Sequence, residues 1–127
     1  HTLINGMNVF SFAISRPPKS IESFLADYNL DRNVDIDYFL IHQANKMIVD
    51  RIVKKLKFPQ EKVPYNLEEF GNLGGASIPS LMVSRLRDEL MTKECSLLMS
   101  SFGLGLTWGT MLMKTKPMIV NELIVMD

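Results

Sequence analysis

The 127-residue sequence predicts an α/β fold with a largely parallel sheet, and three observations carry that prediction. Short apolar runs alternate with stretches whose apolar residues recur every three to four positions, the pattern of strands separated by helices. The charge-free run from Cys95 to Met113 is cut by glycines into two halves of strand length. Composition is 46% apolar and 22% charged, ordinary for a water-soluble domain. A chain of this length supports one core, burying roughly two-thirds of its unfolded surface.

The elements follow in order. Val9–Ile14 (VFSFAI) is rich in β-formers, yet Val9, Phe10, Ala13 and Ile14 also fit one helix face. Pro17-Pro18 opens a helix with Ile21, Phe24, Leu25 and Tyr28 on one side. Asp37–Ile41 (DYFLI) reads as a short buried strand. Ile48, Ile52 and Leu56, joined by Val49 and Val53, mark a helix face. Lys54, Lys55 and Lys57 crowd its C-terminal end, where the helix dipole favours cations, and Phe58-Pro59 stops it. Val63–Asn66 is expected to be a brief extended piece. Ser77 is expected to N-cap a third helix, with Pro79 in its first turn and Ile78, Met82, Leu86 and Leu90 along one face. The closing run has the length of a membrane span, but Gly103, Gly105 and Gly109, with its serines and threonines, argue against one. Two buried strands joined by a tight glycine turn fit better. They must run antiparallel, since no crossover is long enough between them.

Charge and composition exclude several classes of function. Fourteen Lys and Arg against fourteen Asp and Glu give zero net charge, unlike a dedicated nucleic-acid binder. One cysteine rules out a disulfide framework or a thiolate metal cluster. With only His1 and His42, a centre built on several histidines is excluded too. No metal or cofactor is expected. No basic segment followed by an apolar run opens these residues, so no signal peptide is expected in them, and a cytoplasmic location is.

In open parallel sheets the ligand crevice lies beyond the carboxyl ends of the strands. Three features should meet there. His42 follows the run DYFLI directly, in His42-Gln43-Ala44-Asn45. Asn72 sits in the loop Gly71-Asn72-Leu73-Gly74-Gly75-Ala76-Ser77, between a strand and a helix. The third is the turn Phe102-Gly103-Leu104-Gly105. Each alone has a structural explanation: a hydrogen-bonded histidine, a turn-forming asparagine, a hairpin needing positive φ. Together, a neutral imidazole, a carboxamide and backbone amides can polarise a carbonyl oxygen. A Cys95–His42 dyad is rejected, because seven strand steps put Cys95 roughly 23 Å from the glycine turn.

Three strings together, Ile41-His42-Gln43-Ala44-Asn45, Gly71-Asn72 in its Gly/Ala/Ser loop, and Ser101-Phe102-Gly103-Leu104-Gly105-Leu106-Thr107-Trp108-Gly109, resemble the β-ketoacyl-acyl-carrier-protein synthase III family. The resemblance runs from about Asn5 to Lys114. It implies the C-terminal half of a thiolase-like fold over residues 1–114, with a five-stranded mixed sheet flanked by helices, and residues 115–127 as a tail. Thr2–Asn5 would then be a strand and Val9–Ile14 helical. His42 and Asn72 would be two members of a Cys-His-Asn triad, and Gly103, Leu104 and Gly105 a backbone oxyanion site. Lys46 and Arg51 would help dock a carrier protein. The partners implied are acyl-CoA, an acyl-carrier protein, the N-terminal half that supplies the nucleophilic cysteine, and a second copy in a homodimer. The reaction implied is decarboxylative Claisen condensation. Departures are Met47, where a basic residue is frequent, Leu73-Gly74-Gly75 in the Asn72 loop, and Leu104 in the glycine turn, where glycine is frequent. An alternative stays open, a non-catalytic or specialised acyl-transfer relative that keeps the fold, although retaining both His42 and Asn72 favours the enzyme over a scaffold.

Overall fold

The computed structural model describes residues 6–103 and 105–124. In chain order the elements are α1 (Gly6–Ala13), α2 (Arg16–Asp27), β1 (Tyr38–Ile41), α3 (Lys46–Leu56), α4 (Leu67–Phe70), α5 (Ser77–Arg85), α6 (Arg87–Thr92), β2 (Cys95–Gly103) and β3 (Thr107–Thr115). Single 3-10 turns lie at Gln60–Lys62 and Gly74–Ala76.

Local chemistry sets the boundaries. Pro17 and Pro18 occupy the first turn of α2, where a missing N–H costs nothing. Asn45 caps α3: its side-chain oxygen accepts from the Ile48 N–H at 2.9 Å. The same helix buries Ile48, Val49, Ile52, Val53 and Leu56, and stops where Lys57 turns left-handed at φ 54°.

The sheet order is β1-β2-β3. β1 pairs parallel with β2, Tyr38 opposite Leu97 through Ile41 opposite Ser100. β2 pairs antiparallel with β3, Cys95 opposite Thr115 through Gly103 opposite Thr107. Pleating sends alternate residues to two cores. Phe39, Ile41, Leu98 and Phe102 pack with Ile21 and Leu25 of α2 and with the apolar face of α3. Leu40, Cys95, Leu97 and Met99 pack on the other side with Leu81, Leu86 and Leu90. The helices therefore cover both faces of a small mixed sheet.

Several expectations need correction. Among the described residues the sheet has three strands, not five; the expected strand Thr2–Asn5 lies outside them. Val63–Asn66 joins no ladder. Pro64 has no N–H to offer, and Asn66 is buried with its amide donating to the hydroxyls of Ser80 and Ser84, both at 3.0 Å. Ser77 does not cap a helix. It is the first residue of α5, and its hydroxyl turns to His42 instead. The third helix breaks at Leu86 into α5 and α6, although Leu86 and Leu90 keep their places in the core. Tyr28 ends α2 exposed. Only one of the two final strands is buried: β3 is an edge, with Trp108 and Met111 half exposed. Apolar composition shows that a strand wants cover; it does not supply the neighbour.

Gly105 is the one glycine of the hairpin whose replacement would clash. It has φ 125°, and a Cβ there would lie 2.8 Å from Thr107 Cγ2. Past β3 the chain folds back on the body. The Met118 N–H donates to the Leu90 carbonyl at 2.8 Å, and Val120 is buried beside it. Ile119 and Ile124 stay exposed. No helix among the described residues is long and apolar enough to cross a membrane.

Candidate active site

The parallel ladder carries one step beyond β1, where the His42 N–H donates to the Ser100 carbonyl at 2.9 Å. The chain then turns sharply. The Gln43 amide closes on the Ile41 carbonyl at 2.9 Å, and the Ala44 N–H on the His42 carbonyl at 3.0 Å. His42 is thereby fixed at the carboxyl end of the strand, and it is 8% exposed. Its ring meets Phe102 edge-on, centroids 5.3 Å apart, and its Nδ1 lies 3.1 Å from the Ser77 Oγ. Burial lowers the imidazole pKa, opposed by a backbone hydrogen bond with Gly74. The lowered value favours the neutral ring at pH 7.

Asn72 arrives by a different route. α4 ends at Gly71, whose φ of 65° turns the chain sharply away. The Asn72 carboxamide oxygen accepts from the Gly74 N–H at 2.9 Å, and its amide reaches the Ala44 carbonyl at a long 3.4 Å. Asn72 is exposed. The second contact bridges the Asn72 loop to the turn after His42.

Both residues line one cleft of about 720 Å³. Gly74, Phe102 and Gly103 share its wall, and Trp108 stands at its rim with its ring edge-to-face on Phe12, centroids 5.4 Å apart. The end of β2 therefore borders the cleft that holds His42 and Asn72. Of the other residues singled out, Gly105 does not line it, and Leu104 lies outside the described residues. Lys46 and Arg51 are not in its wall. Lys46 pairs with Asp50 at 3.2 Å and lies over the Tyr65 ring, while Arg51 lies over Phe10. No group of three or more His, Cys, Asp or Glu among the described residues is arranged to hold a metal ion.

Cys95 stands at the opposite end of β2, paired with Thr115, and is buried. Burial first, and the Asp37 charge second, raise its thiol pKa, the reverse of an activated nucleophile. Sequence reasoning missed Ser77 as a partner of His42. A serine opening a helix reads as a cap, and nothing in a string tells a hydroxyl aimed at the helix from one aimed across the fold.

The wall thus brings an imidazole and a carboxamide to one cleft, and its lining residues include no thiol. Residues 25–115 match the family model of the 3-oxoacyl-[acyl-carrier-protein] synthase III C-terminal region. The chain belongs to this family. It is 42% identical over 106 residues to the β-ketoacyl-[acyl-carrier-protein] synthase III of Microcystis aeruginosa, covering 84% of this chain and 32% of that protein. It is 40% identical over 111 residues to the chloroplastic enzyme of Arabidopsis thaliana, covering 87% of this chain and 27% of that protein. In structure it superposes on a 3-oxoacyl-(acyl-carrier protein) synthase from Burkholderia xenovorans with TM-score 0.89 at 32% identity, covering 94% of this chain and 34% of that one. The Pseudomonas aeruginosa synthase III gives 0.81 at 30% identity, with 94% and 37% covered. The chain therefore spans about a third of the length of these relatives and carries the synthase III C-terminal part. Its α/β architecture is the corresponding part of theirs.

Proposed function

We propose that this synthase III part supplies the carbonyl-binding half of a condensing site, and that the reaction is a decarboxylative Claisen condensation. His42 and Asn72 would donate to the thioester oxygen of a malonyl group carried on an acyl-carrier protein. Loss of CO2 leaves its bonding electrons in an enolate, whose oxygen those two donors stabilise. The enolate carbon attacks an acyl thioester loaded from acyl-CoA, and the cysteine thiolate leaves. That cysteine must come from outside this chain, because Cys95 is buried at the far end of β2. The observation that carries the reading is the shared cleft of His42 and Asn72, with a buried imidazole whose pKa burial lowers on one wall.

The same reading includes a complementary N-terminal half that covers apolar residues such as Trp108 and Met111, a homodimeric enzyme in the cytoplasm, and no resident cofactor. It also assigns Lys46 and Arg51 to carrier-protein docking from the exposed side of α3. Residues 1–114 form the domain in this scheme and 115–127 its tail.

The test is to incubate the complete polypeptide carrying this chain, and separately the 127-residue chain, with radiolabelled acyl-CoA and malonyl-carrier protein. The complete protein is expected to form β-ketoacyl product and the short chain none. Product from the short chain that survives Cys95→Ser would overturn the reading. A complete, folded but inert protein would favour the non-catalytic alternative.

A further inference from the structure

Among the contacts of His42, the one with Ser77 has no role in the reaction as described so far. Ser77 is 2% exposed, and its Oγ lies 3.1 Å from His42 Nδ1. It comes from α5, a different element from the strand that carries His42. A serine hydroxyl has one proton to give. Nδ1 of a neutral imidazole is either an N–H donor or a bare acceptor, never both.

We infer that Ser77 is a positioning residue: its hydroxyl donates to His42 Nδ1 and thereby keeps the ring proton on Nε2, the nitrogen left for the cleft. The inference rests on the function proposed above, which requires His42 to be a donor there. One feature sets this direction of the bond, and two more hold its geometry. The Ser77 hydroxyl is buried, so water cannot take its proton, and among the described residues its Oγ has no other hydrogen-bond partner. Donation to Nδ1 uses that proton; acceptance from Nδ1–H would strand it. The ring cannot turn away to exchange its nitrogens, because Phe102 closes on it edge-to-face and the strand ladder holds its backbone at Ser100. Finally, Ser77 is fixed in turn. It begins α5, and its own carbonyl accepts from the Ser80 hydroxyl at 2.8 Å. The ring orientation is thus transmitted from the first turn of a helix, through one hydroxyl, to the donor face of the site.

The competing arrangement has the proton on Nδ1; the backbone hydrogen bond with Gly74 takes a ring N–H as donor, and which nitrogen gives it separates the two. His42 would then present a bare Nε2 to the cleft and could only accept. The two tautomers have distinct imidazole 15N shifts and two-bond proton couplings, so the question is open to direct measurement.

The experiment uses the complete polypeptide carrying this chain, with 15N-labelled histidine and the His42 signals assigned by loss in His42→Gln. Wild type is expected to show Nε2–H with a bare Nδ1. Ser77→Ala is expected to show a mixed or inverted tautomer, and to lower malonyl-thioester decarboxylation roughly tenfold, the scale of one hydrogen bond. That loss should fall on kcat rather than KM and exceed any loss in acyl loading. Ser77→Thr, which keeps a hydroxyl, is expected to recover the wild-type tautomer. An Nδ1–H signal in wild type overturns the inference, and so does a Ser77→Ala spectrum unchanged from wild type. If Ser77→Ala fails to fold, the wild-type spectrum alone decides. A wild-type protein with the Nε2–H tautomer but no decarboxylation would overturn the proposed function while supporting the Ser77 contact.

Discussion

His42 and Asn72 face one cleft from walls of opposite construction. His42 extends a strand whose residues are buried on both faces, and it is held by backbone at Ser100, by the ring of Phe102 and by the hydroxyl of Ser77. Asn72 rides an exposed loop between two residues of positive φ, Gly71 and Gly74, and its one contact across the cleft is a long 3.4 Å bond. The first wall draws its geometry from the core. The second draws it from local dihedral angles. Damage to the two should therefore appear in different measurements, stability for one and chemistry for the other.

The largest effect is expected from Phe102→Ala. Phe102 is 5% exposed and packs both in the core and against His42. Truncating a buried phenylalanine costs about 3–5 kcal/mol, which should lower the chemical-denaturation midpoint of the complete polypeptide sharply. A midpoint within experimental error of wild type would mean that the His42 wall does not depend on the core.

Asn72→Asp sharpens the contrast from the other side. Asp offers an acceptor and a negative charge where an enolate needs a donor, and loss of one such donor costs about 10²–10³ in rate. Decarboxylation should fall by that factor, acyl loading far less, and the denaturation midpoint hardly at all. Equal loss in both half-reactions would contradict the role assigned to Asn72.

The smallest effect is that of pH. His42 has its pKa lowered by burial, so on acidification the unfolded chain takes up a proton before the folded one. Below the ordinary imidazole value of about 6.5 the unfolded state holds more protons, and stability falls as pH drops. The contribution is whole above that value and is lost on the acid side. Denaturation midpoints measured between about pH 8 and 5 should decline more steeply in wild type than in His42→Gln. Parallel profiles would show that the imidazole titrates alike in the folded and unfolded protein, with no effect of burial.

The sequence made the core-built wall more readable than the loop-built one. DYFLI followed by His42 announces a strand end, because burial on both faces demands an unbroken apolar run. The helix face Ile48–Val49–Ile52–Val53–Leu56 was equally plain, and every one of these residues is buried. The Gly71–Ser77 loop could be read as a turn, but its direction could not. Composition does not encode whether Asn72 points at the cleft or whether Ser77 caps its own helix or reaches His42. Strand number failed for a related reason. Val63–Asn66 has β-formers at Val63 and Tyr65, yet Pro64 and the side chain of Asn66 keep it out of any ladder. The exposure of β3 was invisible too, since Trp108 and Met111 carry the same apolar signal whether covered or bare.

The pairing of β1 with β2 also dictates the order in which this site comes into being. The two strands meet across a separation of 59 residues, marked by the bond from the Ser96 N–H to the Asp37 carboxylate at 2.7 Å. The β2–β3 hairpin closes over three residues. Short-range hairpins close in microseconds, whereas contacts distant along the chain must first overcome loop-closure entropy. On a ribosome, His42 and Asn72 emerge well before the strand that orients them. Until β2 slots beside β1, the histidine has neither its backbone partner at Ser100 nor the ring of Phe102 against it. On loop-closure grounds the cleft is expected to assemble late, and a nascent chain halted before Phe102 is expected to hold His42 and Asn72 without a site.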